Sequence, residues 1–428
     1  MSVAKLSIAF FLQMFVILAA CRLVGWLGTK FLKQPQVVGE MIAGVILGPS
    51  LFGLFLPELQ KLVFPTETKG VLYVGAQFGV GLYMFLVGLG FRRDHFRNNL
   101  HKAALVSISG MAVPFLIAIV ATPWLMTIPG LFSAAATRFD ATLFMGAAIA
   151  ITAFPMLARI IHERGLSHTA LGTLSLSAGA IDDAAAWCVL AIVLASFGAG
   201  SGVAITAIAG GIAFAVFMIF VAPRLLAPLA RKAEREQALT QTLSPTLLSI
   251  TLMLFMLSAY AADAIGLHAV FGGFLLGTVM PRGALAENLK RLLEPFTVVL
   301  LLPMFFTYSG LNTQLTMVNN VELLMVAFAV LAASILAKFG ACWAAARLSG
   351  QDNRTALGIG ALMNARGLME LIIINIGLQA GVIGPALFSI LVLMAIVTTL
   401  MASPLFEFVY GREARASGEL GALENSAN

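Results

Sequence analysis

Ala178-Gly179-Ala180-Ile181-Asp182-Asp183-Ala184-Ala185-Ala186-Trp187 sets two adjacent carboxylates in the middle of an apolar run extending from about residue 168 to 197. A helix crosses the hydrocarbon core of a bilayer with about 20 apolar residues, so the run reads as a membrane span. The acids are out of place in it, because a charge at mid-bilayer costs about 2.5 to 3.5 kcal/mol on insertion scales. Small residues flank the pair and leave room for water or an ion.

The rest of the chain agrees. Of its 428 residues 60% are hydrophobic and 11% charged, with a mean hydropathy of +0.96, whereas a soluble domain carries about 25% charged residues. No polar segment is long enough for a second folded domain, which excludes a soluble enzyme, a DNA-binding protein and a disordered hub. At about 33 residues for a span with its loop, the length predicts an all-α polytopic membrane protein of about thirteen helices. They fall near 3–28, 36–55, 69–91, 101–125, 139–161, 168–197, 203–227, 243–262, 265–284, 292–311, 320–346, 353–378 and 382–408.

Charge supports that order. Nineteen of the 26 Lys and Arg residues follow odd-numbered spans, from Lys30 and Lys33 through Arg92, Arg93 and Arg97 to Arg412 and Arg415, while four (Lys5, Lys61, Lys69, Arg138) lie on the other side. Positive residues stay in the cytoplasm, so the N-terminus is expected outside and the polar tail 411–428 inside, in the cell (inner) membrane. Cys21, Cys188 and Cys342 each sit in apolar runs and read as packing residues. Leu18-Ala19-Ala20-Cys21 mimics a lipoprotein cleavage site, but the apolar run continues to about Trp26, as in a spanning helix. Nothing resembles GxxxxGK[ST] or a nucleotide-binding glycine fingerprint, so neither an ATP-driven pump nor a cofactor is expected. Gly44/Gly48, Gly75/Gly79 and Gly273/Gly277 form GxxxG pairs that let helices approach closely.

The other ionisable residues inside spans are Arg22, Glu40, Lys338, Arg366 and Glu370. A carboxylate binds an alkali cation or a proton but not comfortably both, so competition for one group couples the two. Two neighbouring carboxylates in low dielectric do not both stay ionised without a compensating cation and take up protons as a unit. Ion or proton handling is therefore preferred for Asp182 and Asp183 over a buried structural ion pair. Lys338, near the middle of its span, needs a counter-charge, for which Asp182 or Asp183 is the natural partner; the alternative is snorkelling to the cytoplasmic surface. Arg366 and Glu370 are spaced i, i+4 and can satisfy each other as a structural bridge. Glu40 and Arg22, near the cytoplasmic ends of their helices, read as local anchors.

Two spans read as broken. Ile151-Thr152-Ala153-Phe154-Pro155-Met156 loses an amide at Pro155, which also disfavours helix at Phe154. Gly358, Gly360 and Met363-Asn364-Ala365-Arg366-Gly367 form a polar, glycine-rich interruption. The two breaks are seven helices apart, hence opposite in orientation, and corresponding interruptions in inverted halves point to a transporter site at the midplane.

These stretches resemble the monovalent cation:proton antiporter-2 family, closest to the plant cation/H+ exchangers and their bacterial Na+(K+)/H+ relatives. The likeness is carried by Gln34-Pro35-Gln36-Val37-Val38-Gly39-Glu40, Gly44-Val45-Ile46-Leu47-Gly48-Pro49-Ser50, Ile151 to Arg159, Asp182 to Trp187 and Met363 to Leu371, in order along nearly the whole membrane region. It implies the inverted-repeat sodium/proton antiporter fold with two crossing discontinuous helices. Core ion-binding helices would lie at about 101–197 and 320–408, and scaffold helices forming a homodimer at about 1–91 and 203–311. Carried over by position, Asp183 matches the essential cation- and proton-binding aspartate and is the alkali-metal ligand, and Asp182 its neighbour. Lys338 matches the lysine pairing with that neighbour in electrogenic relatives, and Thr152 lends oxygen to the ion. The breaks fall at Pro155, Asn364 and Gly367. Gly179 stands where some relatives place a coordinating serine, and the cytoplasmic regulatory domain of many relatives is missing, so gating by nucleotide or glutathione is not expected.

The expectation is a secondary antiporter of Na+ or K+ against protons, electrogenic, with alternating access at the Asp-Asp site. The alternative is a proton- or sodium-coupled carrier of a small organic solute on a similar fold. An intramembrane enzyme is disfavoured, since the sequence has no HExxH, no GxSxG and none of its five histidines beside the acids.

Overall fold

The computed structural model describes residues 3–32, 34, 36–90, 93–167, 169–194, 201–240, 243–265, 269–312 and 320–416. Lys33, Arg92, His168 and the tail beyond 416 lie outside the described residues, as does the side chain of Cys188. Among the described residues the chain is helical, with no strand and one isolated bridge, Phe132 to Ile383. Nine helices there are long and apolar enough to cross a membrane.

The helices begin with α1 (Val3–Leu32), α2 (Gln36–Leu47), α3 (Phe52–Phe55), α4 (Pro57–Val63), α5 (Lys69–Gly90) and α6 (Arg93–Leu125). They continue with α7 (Arg138–Ala150), α8 (Phe154–Glu163), α9 (Ala170–Leu194), α10 (Ser201–Val216), α11 (Ala222–Thr240) and α12 (Pro245–Ala264). The last are α13 (Ala269–Val279), α14 (Ala284–Phe296), α15 (Leu302–Leu311), α16 (Val321–Leu348), α17 (Asn353–Met363), α18 (Leu368–Gln379) and α19 (Pro385–Ala416). Their starts are written locally. Thr137 and Asp140 exchange hydrogen bonds in a capping box ahead of α7, and Ser244 caps α12 with Pro245 behind it. Asn320 accepts from the Leu323 amide at α16, and Asp352 from Arg354 and Thr355 at α17. Such caps satisfy amides that have no partner within the helix.

The chain divides into two compact units. The first comprises Met1–Ala19, Glu58–Arg93 and Gly198–Tyr308. In it α5 and α13 lie along one another at their glycines: a Cβ on Gly277 would run into the Phe85 carbonyl, and one on Gly88 into the Phe274 carbonyl. The Gly273/Gly277 pair is therefore a packing face, as small residues are between membrane helices. α12 joins them through Ser258 Oγ, which donates to the Gly272 carbonyl at 2.7 Å, and through Phe255, whose ring meets Phe78 and Phe85. Two π-helical turns, Phe217–Val221 and Thr297–Leu301, each end two residues before a proline, Pro223 or Pro303. A proline gives no amide and crowds the carbonyl one turn back, which a locally wider turn accommodates.

The second unit comprises Ala20–Pro57, Asp94–Phe197 and Ser309–Asn428. Its apolar core joins α8, α9, α17 and α19 through Leu157, Ile161, Leu174, Ile359, Leu362 and Phe406. Cys21 and Cys342 are buried thiols here, and Glu40 of α2 is buried with its carboxylate accepting from Gln36 Nε2 at 3.0 Å. Arg22 is exposed.

Candidate functional site

The site forms where α7/α8 and α17/α18 are interrupted. α7 ends at Ala150, and residues 151–153 are unwound before α8 starts at Phe154. The interruption thus lies ahead of Pro155 rather than at it, and Phe154, expected to be driven out of helix, is the first residue of α8. Proline is tolerated in a first turn because the amide it lacks would have had no partner there. α17 ends at Met363, Asn364 is its C-cap, and 365–367 are unwound before α18. The two interruptions are bonded to each other: the Ala153 amide donates to the Ala365 carbonyl at 3.0 Å. Thr152 Oγ1 lies 2.8 Å from Asp182 Oδ2 and 3.0 Å from the Met363 carbonyl, with one hydrogen to share between them.

α9 brings Asp182 and Asp183 to this junction, and their surroundings differ. Asp182 is fully buried. Lys338 Nζ of α16 is 2.6 Å from its Oδ2, with side chains 1% and 0% exposed, and Ser107 Oγ of α6 donates to its Oδ1. Lys338 therefore does not snorkel. Its ammonium also donates to the Ala150 carbonyl. Asp183 is 4% exposed, and its Oδ1 is buried with no hydrogen-bond partner among the described residues. The Oδ1 of Asn364, fully buried, has none either. Consecutive residues on a helix point about 100° apart, which is how neighbouring acids come to face different groups.

Arg366 sits in the second interruption and reaches the end of the first helix. Its Nη1 is 2.8 Å from the Ala148 carbonyl and its Nη2 2.6 Å from that of Ile149. Nη2 also meets Ser334 Oγ at 3.0 Å, and Glu370 Oε1 lies 3.3 Å from Nη1. The i, i+4 partner is thus present, but the shorter bonds go to the open carbonyls of α7. Arg366 and Lys338 together cap Ala148, Ile149 and Ala150, where a helix end carries partial negative charge. The Arg366 backbone is held in turn by Thr399, whose Oγ1 accepts from the Arg366 amide at 3.2 Å. Ser107, Ser334 and Thr399 were not singled out in the sequence; single hydroxyls inside apolar spans carry no local signal.

Gly179, one turn before Asp183, is not an open ligand position. A Cβ there would come 2.7 Å from Leu157 Cδ2 and 3.3 Å from Phe154 Cδ2, so the bare position lets α8 pack on α9. Gly367 is similarly close, a Cβ on it meeting Met156 Cγ at 2.7 Å.

The chain matches the family described as sodium/hydrogen exchanger, transmembrane, over residues 10–409. It is 40% identical over 403 residues to the Na(+)/H(+) antiporter NhaS4 of Synechocystis sp., covering 92% of this chain and 95% of that protein. It is 33% identical over 402 residues to cation/H(+) antiporter 19 of Arabidopsis thaliana, covering 93% of this chain and 49% of the relative. With K(+)/H(+) antiporter 1 of Saccharomyces cerevisiae identity is 33% over 415 residues, covering 94% and 46%. The chain thus spans nearly all of the cyanobacterial relative and about half the length of the plant and yeast ones. The matched region takes in every helix that meets at Asp182, and with it the chain belongs to the sodium/hydrogen exchanger family, integral membrane transporters rather than enzymes, in keeping with the antiporter-2 likeness of its motifs.

Proposed function

We propose that this protein exchanges Na+ or K+ for protons at one alternating-access site, with Asp183 as the group for which cation and proton compete. The observation that carries this reading is a charge surplus. Among the described residues of the junction, three buried carboxylates (Asp182, Asp183, Glu370) face two buried cations (Lys338, Arg366). Asp182 and Glu370 each have a cation, whereas Asp183 has none and keeps a buried oxygen unsatisfied. A buried uncompensated carboxylate takes up either a proton or a cation, and one that alternates between them is an exchanger. Thr152 Oγ1 bonds the neighbouring Asp182, and Asn364 Oδ1 is a second buried oxygen with no hydrogen-bond partner among the described residues. The printed functions of the relatives, Na+/H+ and K+/H+ antiport, support the same reading.

The fuller assignment is thirteen crossings in an inverted-repeat fold, with the N-terminus outside and the C-terminus in the cytoplasm of the inner membrane. The core helices at 101–197 and 320–408 carry the ion, and the remainder is scaffold that forms a homodimer. Lys338 makes transport electrogenic, by supplying a fixed positive charge while more than one proton is exchanged per cation.

The test is proteoliposomes with an acidic lumen and a pH-sensitive dye, given Na+, K+ or Li+ in turn. Wild type is expected to alkalinise the lumen on cation addition, and Asp183→Asn to lose that response. Exchange undiminished in Asp183→Asn refutes the assignment, and a wild type silent to all alkali cations moves the protein to the organic-solute class.

A further inference from the structure

α8 is tied down at both of its ends. At its start the Ala153 amide donates to the Ala365 carbonyl of the second interruption at 3.0 Å. Its far end closes in a Schellman turn: the Leu166 amide donates to the Ile161 carbonyl at 2.9 Å, and Gly165 takes a φ of 71°, the left-handed conformation that glycine adopts without strain. Arg164, just before that glycine, is buried, and its Nη1 lies 3.0 Å from Glu407 Oε2 of α19. One helix face back along α19, Thr399 Oγ1 accepts from the Arg366 amide at 3.2 Å, beside Ala365. The contacts form a closed ring. It runs from the second interruption along α8, ten residues or about 15 Å, crosses the ion pair, and returns along α19 to the interruption where it began. On the way Leu157 and Phe154 of α8 press on Gly179 of α9, where a Cβ would meet them at 2.7 and 3.3 Å, one turn before Asp183.

We propose that Arg164 and Glu407 are positioning residues of the exchange site: their ion pair fixes the far end of α8, and through α8 the seat of Leu157 and Phe154 against the helix that carries Asp183. The inference rests on the exchange reading at Asp183. The other two joints of the ring use backbone groups, Ala153 with Ala365 and the Arg366 amide. The ion pair joins two side chains, and Glu407 is 27% exposed against 8% for Arg164, so it is the joint that a substitution opens without touching the site. Gly411, one turn further along α19, is fitted to it: a Cβ there would come 2.7 Å from Glu407 Cδ and 2.8 Å from its Oε1. A site already ordered by its surroundings binds without the cost of ordering them, so slack in α8 weakens the cation's binding. Loss of folded protein, by contrast, lowers the maximal rate and leaves the half-maximal cation concentration where it was.

The experiment titrates Na+ and K+ at fixed pH in proteoliposomes of wild type, Arg164→Gln, Glu407→Gln, the two combined, Arg164→Lys, Gly411→Ala and Asp183→Asn. Arg164→Gln and Glu407→Gln are each expected to raise the half-maximal cation concentration about fivefold, the scale of a partly exposed ion pair, with the change lying there rather than in the maximal rate. The combined variant should be no worse than either single one, because each already opens the same joint. Arg164→Lys should keep most of the wild-type affinity, since the bond to Glu407 uses one nitrogen. Gly411→Ala, which keeps both charges but crowds the carboxylate, should move the half-maximal concentration in the same direction. A wild-type half-maximal concentration in Arg164→Gln and Glu407→Gln, whatever their maximal rates, or additive shifts in the combined variant, overturns the positioning role; with Asp183→Asn inactive, the exchange reading still stands. Full exchange in Asp183→Asn removes the exchange reading and this inference with it. Should Arg164→Gln not fold, Glu407→Gln and Gly411→Ala decide.

Discussion

Replacing Lys338 by methionine removes the cation bonded to Asp182 and leaves the shape of the side chain nearly intact. In the wild type Nζ is 2.6 Å from Asp182 Oδ2, with both side chains almost wholly buried, and the ammonium also serves the Ala150 carbonyl. Among the described residues, in Lys338→Met the carboxylate keeps the neutral donors Ser107 and Thr152, and the carbonyl loses the lysine's bond. Breaking a buried pair by removing one partner costs about 3 to 5 kcal/mol, because the remaining charge is uncompensated. Asp182→Asn alone should cost a similar amount by stranding the ammonium. Replacing both removes both charges, and a buried pair exchanged for neutral groups of similar size is often nearly neutral. The double variant should therefore be more stable than either single one, a non-additivity visible in thermal unfolding in detergent followed by tryptophan fluorescence. In transport, Lys338→Met should lose potential dependence, since each charge moved is worth about 2.3 kcal/mol per 100 mV. Additive losses in the double variant refute the ion pair, and unchanged potential dependence in Lys338→Met refutes the electrogenic role of the lysine.

Arg366→Gln strips donors from the Ala148 and Ile149 carbonyls, from Ser334 and from Glu370, and is expected to cost about 3 to 5 kcal/mol by leaving Glu370 unpaired. Arg366→Lys should recover little, because a single ammonium cannot span the fork; a melting temperature near wild type in either variant disproves the capping role. Gly277→Ala drives a Cβ into the Phe85 carbonyl of α5 and should cost about 1 to 3 kcal/mol, as overpacking does, while Gly70→Ala, which meets nothing within 4 Å, is the neutral comparison. Asp352→Ala removes the cap of α17 and should cost about 1 kcal/mol. For Asp352 burial pushes the carboxyl up, but hydrogen bonds from Thr355 and Arg354 outweigh it and hold it below the usual carboxylate range. A lowered folded value means the contribution is full above the unfolded value, about 3.9, and fades as pH falls through the folded one. The melting difference between wild type and Asp352→Ala should accordingly be constant from neutral pH to about 5 and shrink below about 4; a difference that grows in acid contradicts the cap.

What the sequence by itself determined is what bilayer physics writes locally: apolar runs of spanning length, and interruptions near Pro155 and at Asn364 to Gly367. Each depends on residues a few positions apart. Asp182 and Asp183 stood out for the same reason, since two acids in thirty apolar residues are costly wherever the helix goes. The tertiary structure decided which acid is satisfied and by what. Lys338 is 156 positions from Asp182 and Ser107 is 75 positions away, and no periodicity along the chain encodes either meeting. Arg366 makes the point most clearly. Its i, i+4 partner Glu370 could be read along one helix, whereas its shorter bonds go to backbone carbonyls of Ala148 and Ile149, more than two hundred positions away. Every residue has such a carbonyl, so only the folded chain, by leaving the end of α7 open beside Arg366, singles those two out.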